Sequence, residues 1–350
     1  MSRYLNSRTR NIVQYVPGEQ PQIAGLIKLN TNENPYPPSP KAVAAAREAA
    51  SDRLRLYPPP NADALRDVVA ARHGMARENV FCGNGSDEVL AFCFMAFFGD
   101  KPLRYPDITY GLYRAYVQVF GVKSDIIELR DDLTLPYQRF FGAEGGVIFP
   151  NPNAPTGLAI PLCAVEEIAA NCRGCAVVVD EAYVEFGAES ADSLIRKYDN
   201  IVIARTLSKS HALAGIRVGY ALGSPELIAG LFKVKDCFNS YPLDSIAQRT
   251  AAAALADEEY YRKQNGKIIA VREKTKKELT SLGFTVPDSK ANFLFVIHDK
   301  LGAKEAQQKL REAGILVRHF DEPRISDYLR ITIGTEEQME KLISAFRSML

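Results

Sequence analysis

Short runs of consecutive apolar residues recur along the first two thirds of the chain: Val80-Phe81-Cys82, Gly146-Val147-Ile148-Phe149, Ala176-Val177-Val178-Val179, Ile201-Val202-Ile203-Ala204 and Val218-Gly219-Tyr220-Ala221. A strand with one wet face alternates apolar and polar residues, so runs that do not alternate belong to strands buried on both faces. Helical patterns separate them, the most apolar being Val89 to Phe98. The pattern predicts an α/β fold with a mostly parallel sheet between helices, whose functional groups gather in loops beyond the strands' carboxyl ends.

After Tyr241-Pro242-Leu243 the pattern changes to a long helical stretch through Leu279, then strands near Asn292 to Ile297 and Tyr328 to Ile333, then a closing helix after Thr335. These features predict a large domain over 30–241 and a smaller α/β domain over 242–350. Residues 1–29 hold Pro17, Gly18, Pro21 and Gly25 without clear periodicity, which predicts an extended arm or lid.

Charge narrows the function. Lys and Arg number 43 against 42 Asp and Glu, so a net charge of +1 supplies no field for gathering nucleic acid or an anionic membrane. No apolar run approaches the roughly 18 residues of a membrane helix, and Met1 to Asn6 carries no apolar leader core, so the cytoplasm is the expected compartment. The 6 cysteines include one close pair, Cys172 and Cys175, with no second pair to complete a zinc site, which predicts reduced structural thiols and no metal.

Three segments following strands can carry chemistry. Thr206-Leu207-Ser208-Lys209, with Arg217 shortly after, groups hydroxyls, an amine and a guanidinium. Asp180 ends the most apolar strand, where a carboxylate is costly to bury unless a cation or donor meets it; a protonated pyridine nitrogen is such a partner, and a plain helix cap is the blander alternative. Gly83-Asn84-Gly85-Ser86-Asp87-Glu88 lies between a strand and an apolar helix, a geometry that turns backbone N–H groups toward an anion such as phosphate. It matches neither the dinucleotide motif nor the P-loop.

Together with Leu29 to Tyr36, Thr109-Tyr110-Gly111-Leu112-Tyr113, Asn151 to Gly157, Asp180-Glu181-Ala182-Tyr183 and Tyr328 to Gly334, these segments resemble the class I and II aminotransferases, and within them the histidinol-phosphate aminotransferase family, nearly end to end. The resemblance implies the fold-type I architecture and pyridoxal phosphate as cofactor. It implies that Lys209 holds the cofactor as an imine and shuttles the proton, that Asp180 pairs with the ring nitrogen, that Tyr183 bonds the phenolic oxygen and that Tyr110 stacks on the ring. Gly85, Ser86, Asp87, Thr206, Ser208 and Arg217 would hold the phosphate, joined by Tyr57 reaching across a homodimer interface. The asparagine that relatives place before Pro-Thr-Gly is Ala154 here, and neighbouring Asn153 is the expected substitute donor.

For substrate, the resemblance implies Arg330 as the carboxylate clamp and Arg318, Tyr15 and Asn32 as partners of a phosphorylated donor. The implied reaction moves the amino group of L-histidinol phosphate to 2-oxoglutarate, a step of histidine biosynthesis. Aromatic amino acid transamination and threonine-phosphate decarboxylation on the same fold are the alternatives. A nicotinamide oxidoreductase lacks its glycine motif here and leaves Lys209 unexplained, and a DNA-binding fusion would need extra N-terminal helices.

Overall fold

The computed structural model describes residues 3–23 and 25–350; Met1, Ser2 and Ala24, part of the expected arm, lie outside the described residues. The strands are β1 (Ile27–Lys28), β2 (Val80–Asn84), β3 (Leu103–Pro106), β4 (Ser124–Ile127), β5 (Val147–Pro150), β6 (Val177–Asp180), β7 (Ile201–Thr206), β8 (Val218–Gly223), β9 (Phe293–Val296), β10 (Ile315–Leu316), β11 (Arg318–His319) and β12 (Leu329–Thr332). Seven of them form the main sheet in the order β2-β8-β7-β6-β5-β3-β4. All the expected apolar runs are in it. Strands β5 to β8 are buried along their whole length, as runs without alternation require.

β8 is the one strand running against its neighbours, paired antiparallel to both β2 and β7. This fixes the site. Because β8 opposes both flanking strands, β2 points the same way as β5, β6 and β7, and the carboxyl ends of all four meet at one edge of the sheet. The β7–β8 connection, residues 207–217, crosses that edge, with Thr206 in register with Gly219 and Gly83 with Gly219 from the other side. β3 and β4 were not among the expected strands. β4 is the edge strand and β3 lies next to it, between β4 and β5, with Arg104 of β3 paired to Asp125 of β4 at 2.8 Å.

Apolar side chains cover both sheet faces. The helix Gly85–Phe97 buries Val89, Leu90, Phe92, Cys93 and Phe94 on one side, and helices including Asp63–His73, Leu162–Asn171 and Ser245–Leu255 cover the other. The helical stretch expected through Leu279 is two helices, Ser245–Leu255 and Glu258–Ser281. The break falls at Ala256-Asp257, where Glu258 and Glu259 open a new first turn whose free N–H groups favour acidic side chains.

A second core gathers around the antiparallel strands β9, β11 and β12 and the helix Glu336–Met349. That helix opens with a reciprocal capping box between Thr335 and Gln338. The first residues are not wholly extended: Ser7–Asn11 is a short helix and β1 pairs in parallel with β10. The chain then runs along β12, with Asn30, Thr31 and Asn32 at the boundary between the two cores. Among the described residues no helix is long and apolar enough to cross a membrane, and all 6 cysteines are free thiols.

Candidate active site

At the carboxyl edge of the sheet lies a cavity lined by Lys209, Asp180, Tyr183, Tyr110, Ser86, Asp87, Thr206, Ser208, Arg217, Asn32, Tyr15, Arg318 and Arg330. One end is an anion cradle. Gly85 opens the helix Gly85–Phe97 at φ +76°, and a Cβ there would sit 2.5 Å from Nη2 of Arg217, so only glycine lets the guanidinium lie against the helix start. A Cβ on Gly219 would strike the backbone nitrogen of Ser86. Arg217 itself holds φ +58°, a costly conformation for a long side chain. It donates to Asp87 at 2.9 Å and to Ser208 Oγ at 3.2 Å, while the Tyr110 hydroxyl donates to the other Asp87 oxygen at 2.9 Å.

In the middle stand an amine and a carboxylate. Lys209 Nζ donates to Thr31 O at 3.3 Å, and Asn34 caps the Lys209 carbonyl at 3.0 Å. Burial and then the positive charge of Arg330 lower the Lys209 amine to about 8. Asp180, 4% exposed, accepts from the Tyr113 hydroxyl at 3.0 Å and from Ala182 N at 3.1 Å. Burial raises its carboxyl to about 6 against these two bonds, and it makes no ion pair among the described residues. Behind it, Glu181 accepts from Ala191 N at 2.6 Å and Ser190 Oγ at 2.8 Å and pairs with buried Arg205 at 2.8 Å. This fastens the ends of β6 and β7 to each other.

Opposite, Tyr183 accepts a hydrogen bond from Asn32 Nδ2 at 2.9 Å and packs edge-on against Phe293. Asn32 sits at φ +56° and exchanges hydrogen bonds with Thr332 through both its backbone N–H (2.9 Å) and its Oδ1 (3.1 Å). The cavity's far end carries two arginines. Arg318 and Arg330 are register partners on antiparallel β11 and β12, a like-charge pairing that destabilises a sheet unless an anion joins it. Arg330 reaches Asn30 O at 3.0 Å and leaves its Nε without a partner, while Phe293 and Phe320 flank the guanidinium. Tyr15 meets Tyr110 edge-on, with ring centres 6.4 Å apart.

Two expected residues stand elsewhere. Asn153 lines a neighbouring, mainly apolar cavity, and its amide N–H groups are spent on Ile108 O and Thr156 Oγ1, so it is not placed as a donor to a group in the main cavity; Ala154 lines that cavity instead. Tyr57 is 81% exposed, stacked on Tyr241 at 4.6 Å. Tyr113 and Thr332 were not singled out: a buried aromatic and a strand threonine carry no signal until their partners, far away in sequence, are in place. Glu322, on the cavity rim, had no motif around it.

The donor set fits pyridoxal phosphate. A buried carboxylate without an ion-pair partner suits a ring nitrogen that carries a proton, the Gly85–Arg217 cradle suits a phosphate, and the low-pKa amine between them suits an aldehyde carbon. The unpartnered hydroxyls of Thr31 and Thr109 add polar capacity at the cavity wall.

Known proteins agree with this geometry. The family model described as aminotransferase class I and II matches residues 24–346. A histidinol-phosphate aminotransferase from Aromatoleum aromaticum is 50% identical over 355 residues, covering 100% of each chain. One from Acinetobacter baylyi is 50% identical, covering 99% of this chain and 97% of its own. The crystal structure of histidinol-phosphate aminotransferase from Sinorhizobium meliloti in complex with pyridoxal-5'-phosphate superposes with a TM-score of 0.87 across 100% of this chain and 99% of that one; at 24% identity it speaks for the fold.

Proposed function

The chain belongs to the class I and II aminotransferases, which work with pyridoxal phosphate, and on that premise we propose that it moves the amino group of L-histidinol phosphate to 2-oxoglutarate, giving imidazole acetol phosphate and L-glutamate. The observation that carries the substrate assignment is the Arg318–Arg330 pair in the same cavity as Lys209. Beyond the cofactor cradle, a phosphorylated donor needs a second anion site, and two guanidiniums side by side supply one.

When bound, pyridoxal phosphate supplies an electron sink for the α-carbon of the amino donor. Asp180 would hold the ring nitrogen in its protonated form, with Tyr113 and Ala182 N bonding the carboxylate from behind. Arg217, Ser208, Thr206 and the first N–H groups of the helix Gly85–Phe97 would hold the phosphate. Tyr183, whose oxygen accepts from Asn32, would donate to the phenolic oxygen, and Tyr110 would pack against the ring.

Lys209 would hold the cofactor covalently, and its free amine is the cavity group able to accept a proton from the donor's α-carbon and give it back. A side-chain amine near pKa 8 is neutral often enough at physiological pH to accept that proton and acidic enough to return it. Arg330 and Arg318, with Tyr15, hold the donor's phosphate in one half-reaction, and Arg330 holds the acceptor's carboxylate in the other. Fixing that anion fixes the orientation of the reacting C–H bond.

The working unit in this reading is a homodimer in the cytoplasm, with Tyr57 reaching the cofactor phosphate held by the second copy. Its exposure, with Leu54 and Leu56 exposed in the same segment and Tyr241 stacked on it, supports a partner there. The test is a panel of amino donors with 2-oxoglutarate, read as glutamate formed. Histidinol phosphate should give the highest kcat/KM; phenylalanine or tyrosine far above it would overturn the assignment, and carbon dioxide release would mark a decarboxylase.

A further inference from the structure

We propose that Glu322 reads the imidazole ring of the amino donor and so separates it from donors with a plain aromatic ring; this rests on the histidinol phosphate assignment above. Three carboxylates line the cavity: Asp87, Asp180 and Glu322. The first two belong to the cofactor end: Asp87 is bound by Arg217 and Tyr110, and Asp180, bonded by Tyr113 and Ala182 N, is the carboxylate proposed for the ring nitrogen. Glu322 uses one oxygen, Oε2, which accepts from Arg114 Nη1 at 3.0 Å. Its Oε1 has no hydrogen-bond partner among the described residues.

The position of this carboxylate is fixed by the segment around it. Ile325 is buried with Ile108, Leu129 and Phe295, and its N–H bonds the Glu322 carbonyl at 3.2 Å. Arg324 ties the same segment to Asp107 at 2.6 Å and to Leu129 O at 2.7 Å. Glu322 is therefore held on the rim, four residues beyond Arg318.

Arg114 balances the charge of Glu322, so what the rim offers a ligand is an acceptor, Oε1. A cavity meant only for a phosphate or a dicarboxylate has no use for a second acceptor there. The arrangement is favourable for a ligand that places an anion on Arg318 and Arg330 and an N–H donor on Glu322. Imidazole is such a donor in both states: neutral, it keeps one N–H, and protonated, with an ordinary pKa near about 6.5, it has two and a positive charge. A phenyl ring has nothing to give a carboxylate and would only desolvate it.

The test compares the wild type with Glu322→Gln and Glu322→Leu in separate half-reactions, with histidinol phosphate or phenylalanine as donor and 2-oxoglutarate as acceptor. Loss of a hydrogen bond to a charged group should lower kcat/KM for histidinol phosphate by about 10- to 100-fold in Glu322→Leu, and by less in Glu322→Gln, whose amide oxygen still accepts. Phenylalanine and 2-oxoglutarate should hold steady or improve as the charge leaves. Arg114→Gln, which removes the ion pair and keeps the carboxylate, should retain the preference for histidinol phosphate.

Equal losses on both donors, or no loss on histidinol phosphate, would overturn the inference while a wild type active on histidinol phosphate leaves the function standing. A wild type inactive on histidinol phosphate takes down both.

Discussion

The amine of Lys209 offers the most direct physical test of the site. Its ordinary pKa is 10.5 and its enclosure brings it to about 8. At pH 7 an amine of pKa about 8 is roughly one-tenth neutral, whereas one left at its ordinary value is neutral in about three molecules per ten thousand, a gap of about 300-fold in the reactive form. Only the neutral amine can attack a carbonyl, so covalent loading of pyridoxal phosphate onto cofactor-free protein should report this difference. Followed by stopped-flow absorbance, the rate should rise with pH and level off near 8. Arg330→Gln removes a cation that depresses the amine, so its break should move to higher pH and its loading at pH 7 should slow. A rate that keeps climbing through pH 9 and 10 would refute an enclosed, low-pKa lysine.

The stability sign follows from the same shift. Lys209 releases its proton more readily folded than unfolded, so stability rises as pH climbs from about 8 to 10.5, and below that window the buried charge costs about 3 kcal/mol.

Lys209→Ala should retain the cofactor without a covalent bond but lose at least about a thousandfold in transamination, measured as single-turnover rate; near-normal turnover would sink the central assignment. Arg318→Ala should raise KM for histidinol phosphate by about 10- to 100-fold, yet raise the melting temperature of ligand-free protein, since it ends the cross-strand repulsion with Arg330. A lower melting temperature would argue that the pairing is not repulsive. Gly85→Ala forces a side chain against Arg217 at φ +76° and should weaken cofactor retention on dialysis far more than it changes the fold seen by circular dichroism.

The buried strands were legible because nothing but double-sided burial explains runs such as Val177-Val178-Val179. β3 and β4 were not: Ser124-Asp125-Ile126-Ile127 mixes polar and apolar residues as an edge strand permits, and Leu103-Arg104-Tyr105-Pro106, beside it, breaks its apolar run with Arg104, which pairs with Asp125. The anchors Lys209, Asp180 and Arg217 could be read from their positions after strands together with the family resemblance. What supports them could not: Tyr113 beneath Asp180 and Thr332 behind Asn32 act through contacts across 67 and 300 residues of chain. Asn153 shows the opposite error. It neighbours the right position, but its loop turns the amide toward Ile108 and Thr156, and one residue of displacement exchanges one cavity for another.

The thread from β1 through Asn32 has a mechanical consequence. β12 grips this thread at three points, Thr332 N–H at the carbonyl of Leu29 (2.9 Å), Arg330 at the carbonyl of Asn30 (3.0 Å) and Thr332 Oγ1 at the backbone N–H of Asn32 (2.9 Å), while β10 holds it through Ile27 and Lys28. Arg330, proposed to hold the substrate's anion, and Asn32, which donates to Tyr183, are thus rungs of one ladder. The Arg330–Asn30 bond and the Asn32–Tyr183 bond hang on two residues of one backbone segment, so a change in the path of that segment alters both.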